Sequence, residues 1–334
     1  MPHLRDVPDL DVGPVLIRAE VEGISNIFEG LDIVAIPGRR SATSNLWREA
    51  LTRHQPDVVY APTDVSFARY DQPLVLAIRN AALDMAAMRE YPARRRLKQR
   101  AHVFLARRST RLASGYIAVS EHARNLAPKL LGVRDDAVRV VYHGGPGTSD
   151  GASAAEVRRF VFVSDLYRYK NLHRVIEALA EVADEWSLDV FGRAVEDDYM
   201  QDLTAITARY GLSDRVKFRG HVNADELAGA YRSADCLIWP SYVETFGHPL
   251  VEAAASGLPI LAAEAASNHE IAGGAAVYFP PFDIARIRDL LRQTVGRSLE
   301  TGPLPRSYNW KTCARETAAF LTESAETSGR RRTP

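Results

Sequence analysis

The sequence predicts an α/β protein built from two parallel-sheet domains. Three observations carry this. Short apolar runs alternate with helical patterns along most of the chain. A stretch rich in glycine and small polar residues interrupts the alternation near residue 148, after which it restarts. A chain of 334 residues also suits about two domains.

Taken in order, the strands are expected at Val15–Ala19, Ile33–Ile36, Val58–Tyr60, Leu74–Ile78, Tyr116–Val119 and Val138–Tyr142. The linker follows at Gly144–Ser153, where glycine and proline break regular structure. Beyond it come Phe160–Val163, Leu188–Phe191, Val216–Phe218, Cys236–Trp239, Pro259–Ala262 and Ala276–Phe279. This divides the chain into a first domain over 1–147, a second over 154–315, and a helix end with a frayed tail over 316–334. A ligand is expected in the cleft between the domains.

Composition excludes several classes. Lysine plus arginine equals aspartate plus glutamate at 42 each, so no global attraction to nucleic acid is implied. Cys236 and Cys313 are the two cysteines, and neither lies in a metal-ligand cluster; a reduced, cytoplasmic protein without a metal or cofactor is expected. No run is long enough to span a bilayer, and the N-terminus does not read as a signal peptide. No G-x-G-x-x-G follows a strand, which argues against a nicotinamide dehydrogenase.

The richest segment is 240–260, Pro-Ser-Tyr-Val-Glu-Thr-Phe-Gly-His-Pro-Leu-Val-Glu-Ala-Ala-Ala-Ser-Gly-Leu-Pro-Ile. An apolar strand leads into a tight turn and then a helix stopped by Gly257 and Pro259. A helix start offers unpaired N–H groups where a phosphate can sit, and Gly247 lets the backbone approach a ligand. Glu252 lies about 8 Å into the helix at ~1.5 Å per residue. Glu244 and Glu252 are thus spaced to grip the hydroxyls at the two ends of an elongated ligand.

This segment resembles the Glu-x7-Glu signature of retaining glycosyltransferases of family four, which have the GT-B fold of two Rossmann-like domains. The resemblance implies that Glu244 faces the donor sugar and Glu252 the ribose. It also implies that the Phe246-Gly247 backbone faces the sugar and diphosphate, with Thr245 and His248 as further donor contacts. Lys170, ahead of Asn171-Leu172 and a helix, matches the family's diphosphate lysine. Where members carry Gly-Arg, Ser164-Asp165 stands here, and the arginine's role is moved to Arg168. Fixed cations at the departing phosphate stabilise the transition state more than the ground state. Loops at Gly192 and His221 are expected to border the base, through backbone rather than the His221 side chain. Glu270 reads as a structural cap or ion-pair partner.

The first half is less typical. Arg79-Asn80 stands where many members have His-Asp, and is assigned to the cleft; for Arg79 a structural ion pair is an equal alternative. Ser120 is expected to cap the next helix. The polar opening Met1–Asp11, with Val15–Ala19 resembling the family's second strand, implies an absent or degenerate first strand–helix unit. Between Arg89 and Arg111 lie seven further cations interleaved with Leu97, Val103, Phe104 and Leu105. Such a helix is either a solvated face or a contact with an anionic membrane, at the inner face of the cell membrane.

The function implied is transfer of a hexose from a nucleotide diphosphate sugar to a saccharide or lipid-linked acceptor. Two alternatives remain at this stage. One is a non-catalytic nucleotide-sugar-binding or partner subunit. The other is a sugar-nucleotide epimerase on the same fold.

Overall fold

The structure, a computed structural model, describes residues 2–8, 10–12, 15–18, 33–36, 49–64, 70–80, 84–146 and 155–330. Its strands form three parallel sheets. β1 (Val15–Arg18) pairs with β2 (Ile33–Ile36) in a two-stranded sheet, Val15 opposite Ile33. A four-stranded sheet has the order β3 (Val59–Ala61), β4 (Leu74–Ile78), β5 (Gly115–Ala118), β6 (Val138–Val140). The third sheet contains β7 (Arg159–Val163), β8 (Ser187–Phe191), β9 (Val216–Gly220), β10 (Cys236–Trp239), β11 (Ile260–Ala263) and β12 (Ala276–Phe279), in the order β12-β11-β10-β7-β8-β9.

The strands therefore lie where the sequence placed them, to within one or two residues. β4, β10 and β11 are buried along their whole length, as apolar strands covered on both faces must be. β6 ends at Val140, although the Val141 N–H still donates to the Ala118 carbonyl at 2.9 Å, and the Tyr142 hydroxyl donates to Glu270 at 2.7 Å. Ala19 and residues 147–153 of the expected linker lie outside the described residues.

The helices that matter to the site are α1 (Ala93–Thr110), α2 (Glu121–Leu131), α3 (Leu172–Leu179), α4 (Asp197–Arg209), α5 (Ala224–Ser233), α6 (His248–Ala255) and α7 (Ala266–Ala272). Local chemistry sets their ends. Ser120 accepts from the Ala123 N–H at 3.0 Å to cap α2, and Gly132 closes that helix with φ 70°. Asn223 and Glu226 form a reciprocal capping box on α5.

After α8 (Ile284–Thr294) the chain returns as α9 (Trp310–Arg330). The expected boundary at residue 316 falls inside this helix. Cys313, Phe320 and Leu321 of α9 pack on Val75, Ile117 and Val141 of the first-domain sheet. The two crossings between domains run side by side. The Gly145 N–H donates to the Tyr308 carbonyl at 3.2 Å, and a Cβ on Gly144 would lie 2.3 Å from the Trp310 nitrogen. Phe320 also covers Gly115, where a Cβ would meet its ring at 2.9 Å. Phe320→Ala removes a nearly buried ring from this seam and should lower stability by about 3 kcal/mol, read from the urea midpoint; a loss below about 1 kcal/mol would mean that α9 is only loosely docked.

Candidate active site

Open parallel sheets bind ligands at the carboxyl ends of their strands, where the strand order reverses. In the six-stranded sheet that point lies between β7 and β10, since the chain runs β7-β8-β9 to one side and restarts with β10 on the other. The loops leaving these two strands carry Lys170 and Glu244. They meet: Lys170 Nζ donates to Glu244 Oε1 at 2.5 Å, and both side chains are buried. The ammonium also lies 5.0 Å from the Trp239 ring centroid and 5.3 Å from that of Tyr169.

Lys170 is held by its neighbours. It ends a short 3-10 turn, and Asn171 then takes φ 64°, a left-handed conformation asparagine tolerates. The Asn171 amide donates to the Pro281 carbonyl at 2.7 Å and its oxygen accepts from Arg174 at 2.6 Å. On the other side, Gly247 reaches φ 87° directly before α6, a backbone conformation that glycine adopts without strain. The Trp239 Nε1, 3.6 Å from where a Gly247 Cβ would stand, is buried without a hydrogen-bond partner among the described residues. Glu252 follows on α6, half-buried, and accepts from the Tyr231 hydroxyl of α5 at 2.8 Å. Burial pushes its carboxyl above the ordinary range, against the lowering effect of that hydrogen bond.

The turn between the two glutamates also ties the domains together. The Thr245 hydroxyl donates to the Arg79 carbonyl at 2.9 Å, and the Thr245 carbonyl accepts from Ser120 at 2.5 Å. Arg79 and Asn80 are thus placed across the cleft from Glu244 and Thr245; Asn80, Thr245 and Glu244 line one small cavity with Asp84 and the α2 face. Glu270 of α7 takes the N–H groups of Glu121 and His122 at 2.7 Å each, capping α2 from the opposite domain rather than its own following segment.

Other expected residues face elsewhere. The Phe246 ring packs against His143, His248 and Tyr308, so only its backbone borders the cleft. The His248 ring stacks on His143 and Trp310, with His143 Nδ1 and His248 Nε2 2.9 Å apart. It is part of the hinge packing, not a free donor contact. Arg168 also departs from expectation. Its guanidinium is paired with Asp202 of α4 and lies 5.0 Å from the Tyr199 ring centroid, so its charge is already neutralised away from Glu244. Gly192 takes φ 141° and packs so closely that a Cβ would fall 1.9 Å from the Ser164 oxygen. His221 is exposed.

Sequence reading does not mark Tyr231, Glu90 or Tyr91, and it takes Arg95 only as one cation of the basic helix. Tyr91 OH donates to Glu196 at 3.0 Å, and the same carboxylate accepts the Arg168 N–H at 3.0 Å. Arg95 pairs with Glu196 and Asp198, and Glu90 with Arg174. These charges are far apart in sequence, and no local motif announces them.

Two facing parallel-sheet domains with the site in their seam define a GT-B protein, and known proteins agree. The family model described as glycosyl transferases group 1 matches residues 150–299, and the one described as glycosyltransferase family 4 matches residues 22–144. The chain belongs to the family 4 glycosyltransferases. It is 27% identical over 181 residues to the O-antigen chain mannosyltransferase RfbU of Salmonella typhimurium, covering 54% of this chain and 50% of that protein. Against the D-inositol 3-phosphate glycosyltransferase of Mycolicibacterium smegmatis it is 30% identical over 298 residues, 77% of this chain and 64% of the other. The chain thus spans about half the length of the first of these curated relatives. In fold it is similar to Anabaena HepE in complex with UDP-glucose, at a TM-score of 0.64, 21% identity and coverage of 92% and 88% of the two chains. It is likewise similar to WaaG, a glycosyltransferase involved in lipopolysaccharide biosynthesis, at a TM-score of 0.64, 18% identity and coverage of 91% and 87%.

Two predictions follow from the site's electrostatics. Lys170→Met leaves Glu244 buried without its partner and should cost about 3 kcal/mol, whereas Lys170→Met with Glu244→Leu should cost less. A urea series in which the double variant is as unstable as the single would count against mutual neutralisation. The second concerns the hinge histidines. Burial, then the nearby His248 and Arg79, push His143 down to about 3, and burial, then Arg79, push His248 down to about 4. Both stay neutral in the folded protein, while the unfolded chain takes up protons near the ordinary value of 6.5. The unfolded state then binds more protons below that pH, so this stability falls as pH drops from about 6.5 towards 4. The acid-side slope of Tm should shrink in a His143→Asn, His248→Asn double variant; an unchanged slope would place the acid sensitivity elsewhere.

Proposed function

We propose that the chain is a retaining glycosyltransferase that moves a hexose from a nucleotide diphosphate sugar to a saccharide or lipid-linked acceptor. The observation that carries this is the meeting of Lys170 and Glu244 at the strand-order reversal, with Gly247 and then Glu252 on the helix beside it. The donor lies along that helix. Glu252 takes the ribose hydroxyls, the Gly247 backbone borders the diphosphate, and Glu244 faces the hexose. The unpaired Trp239 N–H is a further donor that a bound oxyanion satisfies. The nucleotide-sugar donor class is in keeping with the UDP-glucose held by HepE, and a saccharide acceptor with the O-antigen chain named for RfbU.

In the reaction the bond from the anomeric carbon to the diphosphate breaks, and the departing phosphate gains charge. Lys170, released from Glu244 towards the phosphate, stabilises that charge, and the phosphate oxygen takes the acceptor's proton on the same face. The new glycosidic bond then forms with retention. Arg79 and Asn80, across the cleft, border the sugar, and loops at Gly192 and His221 border the base.

The acceptor side favours a membrane surface. α1 carries seven cations and no acid. Its Leu97 and Phe104 are the most exposed large apolar side chains among the described residues, at 68% and 67%. Seven residues apart, they share one face with Ala101 and Arg108 and are flanked by Arg94 and Arg100. Among the described residues no helix is long and apolar enough to cross a membrane, so contact through this face is peripheral.

A thermal-shift panel of UDP, GDP, ADP and TDP sugars tests the donor class, because a ligand of the folded state raises its apparent stability. One nucleotide class should stabilise the protein, and its sugar should be transferred with retained anomeric configuration. Turnover should vanish in Glu244→Ala and Lys170→Ala, while Glu252→Ala should weaken nucleotide binding by more than about 1 kcal/mol. Binding without turnover on any donor and acceptor would favour the non-catalytic subunit. Donor conversion without acceptor would favour the epimerase. For the membrane face, flotation with anionic vesicles should recover wild-type protein and lose Leu97→Ser, Phe104→Ser; equal recovery of both would remove this surface from the account.

A further inference from the structure

At the diphosphate end of the proposed donor site Lys170 is paired with Glu244, and the Arg168 guanidinium is turned to Asp202 of α4. The neighbouring strand supplies another cation. Arg193 follows Gly192 at the carboxyl end of β8, adjacent to the loop that leaves β7. That loop holds Asp165 at its start and Lys170 at its end.

Three features fix Arg193 against this loop. The Ser164 N–H donates to the Phe191 carbonyl and the Leu166 N–H to the Arg193 carbonyl, both at 2.9 Å. Gly192 has no room for a side chain against Ser164. Asp165 then holds the guanidinium in a fork, accepting from Nε at 3.1 Å and Nη2 at 2.7 Å, and also takes the Arg193 backbone N–H at 3.1 Å. Burial alone would raise the Asp165 carboxyl, but these hydrogen bonds hold it below the ordinary range, so it stays charged and keeps its grip.

The fork uses one edge of the guanidinium. Nη1 has no acceptor among the described residues, and the side chain is 66% exposed. An arginine has five N–H donors, so an oriented edge remains for a second oxyanion. Asp165 offsets part of the charge, yet it removes the rotamer freedom that a lone surface arginine would lose on binding.

We propose that Arg193 is the second diphosphate-binding cation of this chain, with Asp165 as its positioning residue. The expected Gly-Arg at the end of β7 is Ser164-Asp165, and the missing guanidinium returns from the end of β8. The inference rests on the nucleotide-sugar reading, because it presumes that a diphosphate enters this crevice.

The test is calorimetry of the full chain with UDP, GDP, ADP and TDP, each beside its monophosphate. For whichever diphosphate binds wild type, Arg193→Ala should weaken binding at least about tenfold, as expected for a lost charge-assisted hydrogen bond. The matching monophosphate should change much less. Arg193→Lys should recover part of the loss. Asp165→Ala should also weaken the diphosphate, by less than Arg193→Ala. Arg193 is exposed, so the variants should melt close to wild type, and a melting check separates binding loss from unfolding. If wild type binds a diphosphate and Arg193→Ala binds it equally well, the assignment is overturned while the donor reading stands. An equal loss for both nucleotides would assign Arg193 to the nucleoside instead, also overturning it. If no nucleotide binds wild type, the donor reading itself falls, and this inference with it.

Discussion

A buried lysine and a buried glutamate, each intolerable without the other, set the terms for this molecule. Removing two charges from water is costly, and the attraction between them offsets that cost only when geometry and surrounding hydrogen bonds are good. Here the surroundings are built for it. Asn171 adopts a left-handed backbone and anchors to Pro281 to bring Lys170 into place. Trp239 and Tyr169 present ring faces to the ammonium. Glu244 sits in a turn whose next residue is pinned to the opposite domain by Ser120 and Arg79. The pair therefore joins the interior of one domain to the seam between both.

That seam is polar on the cleft side and aromatic at the hinge. On the cleft side, Glu270 caps α2 across the gap, and Glu90, Tyr91 and Arg95 reach to Arg174, Glu196 and Asp198. At the hinge, His143, His248, Phe246, Tyr308 and Trp310 pack ring against ring, His143 stacked on His248 and Phe246 edge-to-face with Tyr308. Hydrogen bonds and ion pairs of the first kind can exchange for water or ligand. Aromatic packing of the second kind cannot be separated so cheaply. The molecule is thus fastened more firmly at its crossing than at its mouth.

Much of this could be read from the chain alone. Short apolar runs locate all twelve described strands; β4, β10 and β11 are apolar throughout because both their faces are buried, while β8 and β9 alternate more buried with more exposed positions. Glu244, Gly247 and Lys170 stand in local patterns, and their neighbours in sequence are also their neighbours in space. The rest depended on partners far along the chain. Nothing near Arg168 shows that Asp202 will hold it, and nothing near Asp165 shows that Arg193 will. His248 looks like a turn residue beside the ligand until His143 and Trp310 are brought against it. Glu270 reads as structural from its setting, yet the helix it caps belongs to the other half. From sequence, 316–334 reads only as a helix end and tail, because an amphipathic pattern does not say which sheet will receive it.

The route of α9 has a consequence for anyone recombining this chain with its relatives. A chimera with one breakpoint in the glycine-rich linker would bring a foreign terminal helix to the native first half. That helix would have to bring a ring to the bare surface of Gly115 and a partner to Arg139, which Phe320 and Glu323 now supply. A transplant of the second half is therefore sound only with two junctions, one on each of the paired crossings, so that the last helix stays with the sheet on which it lies.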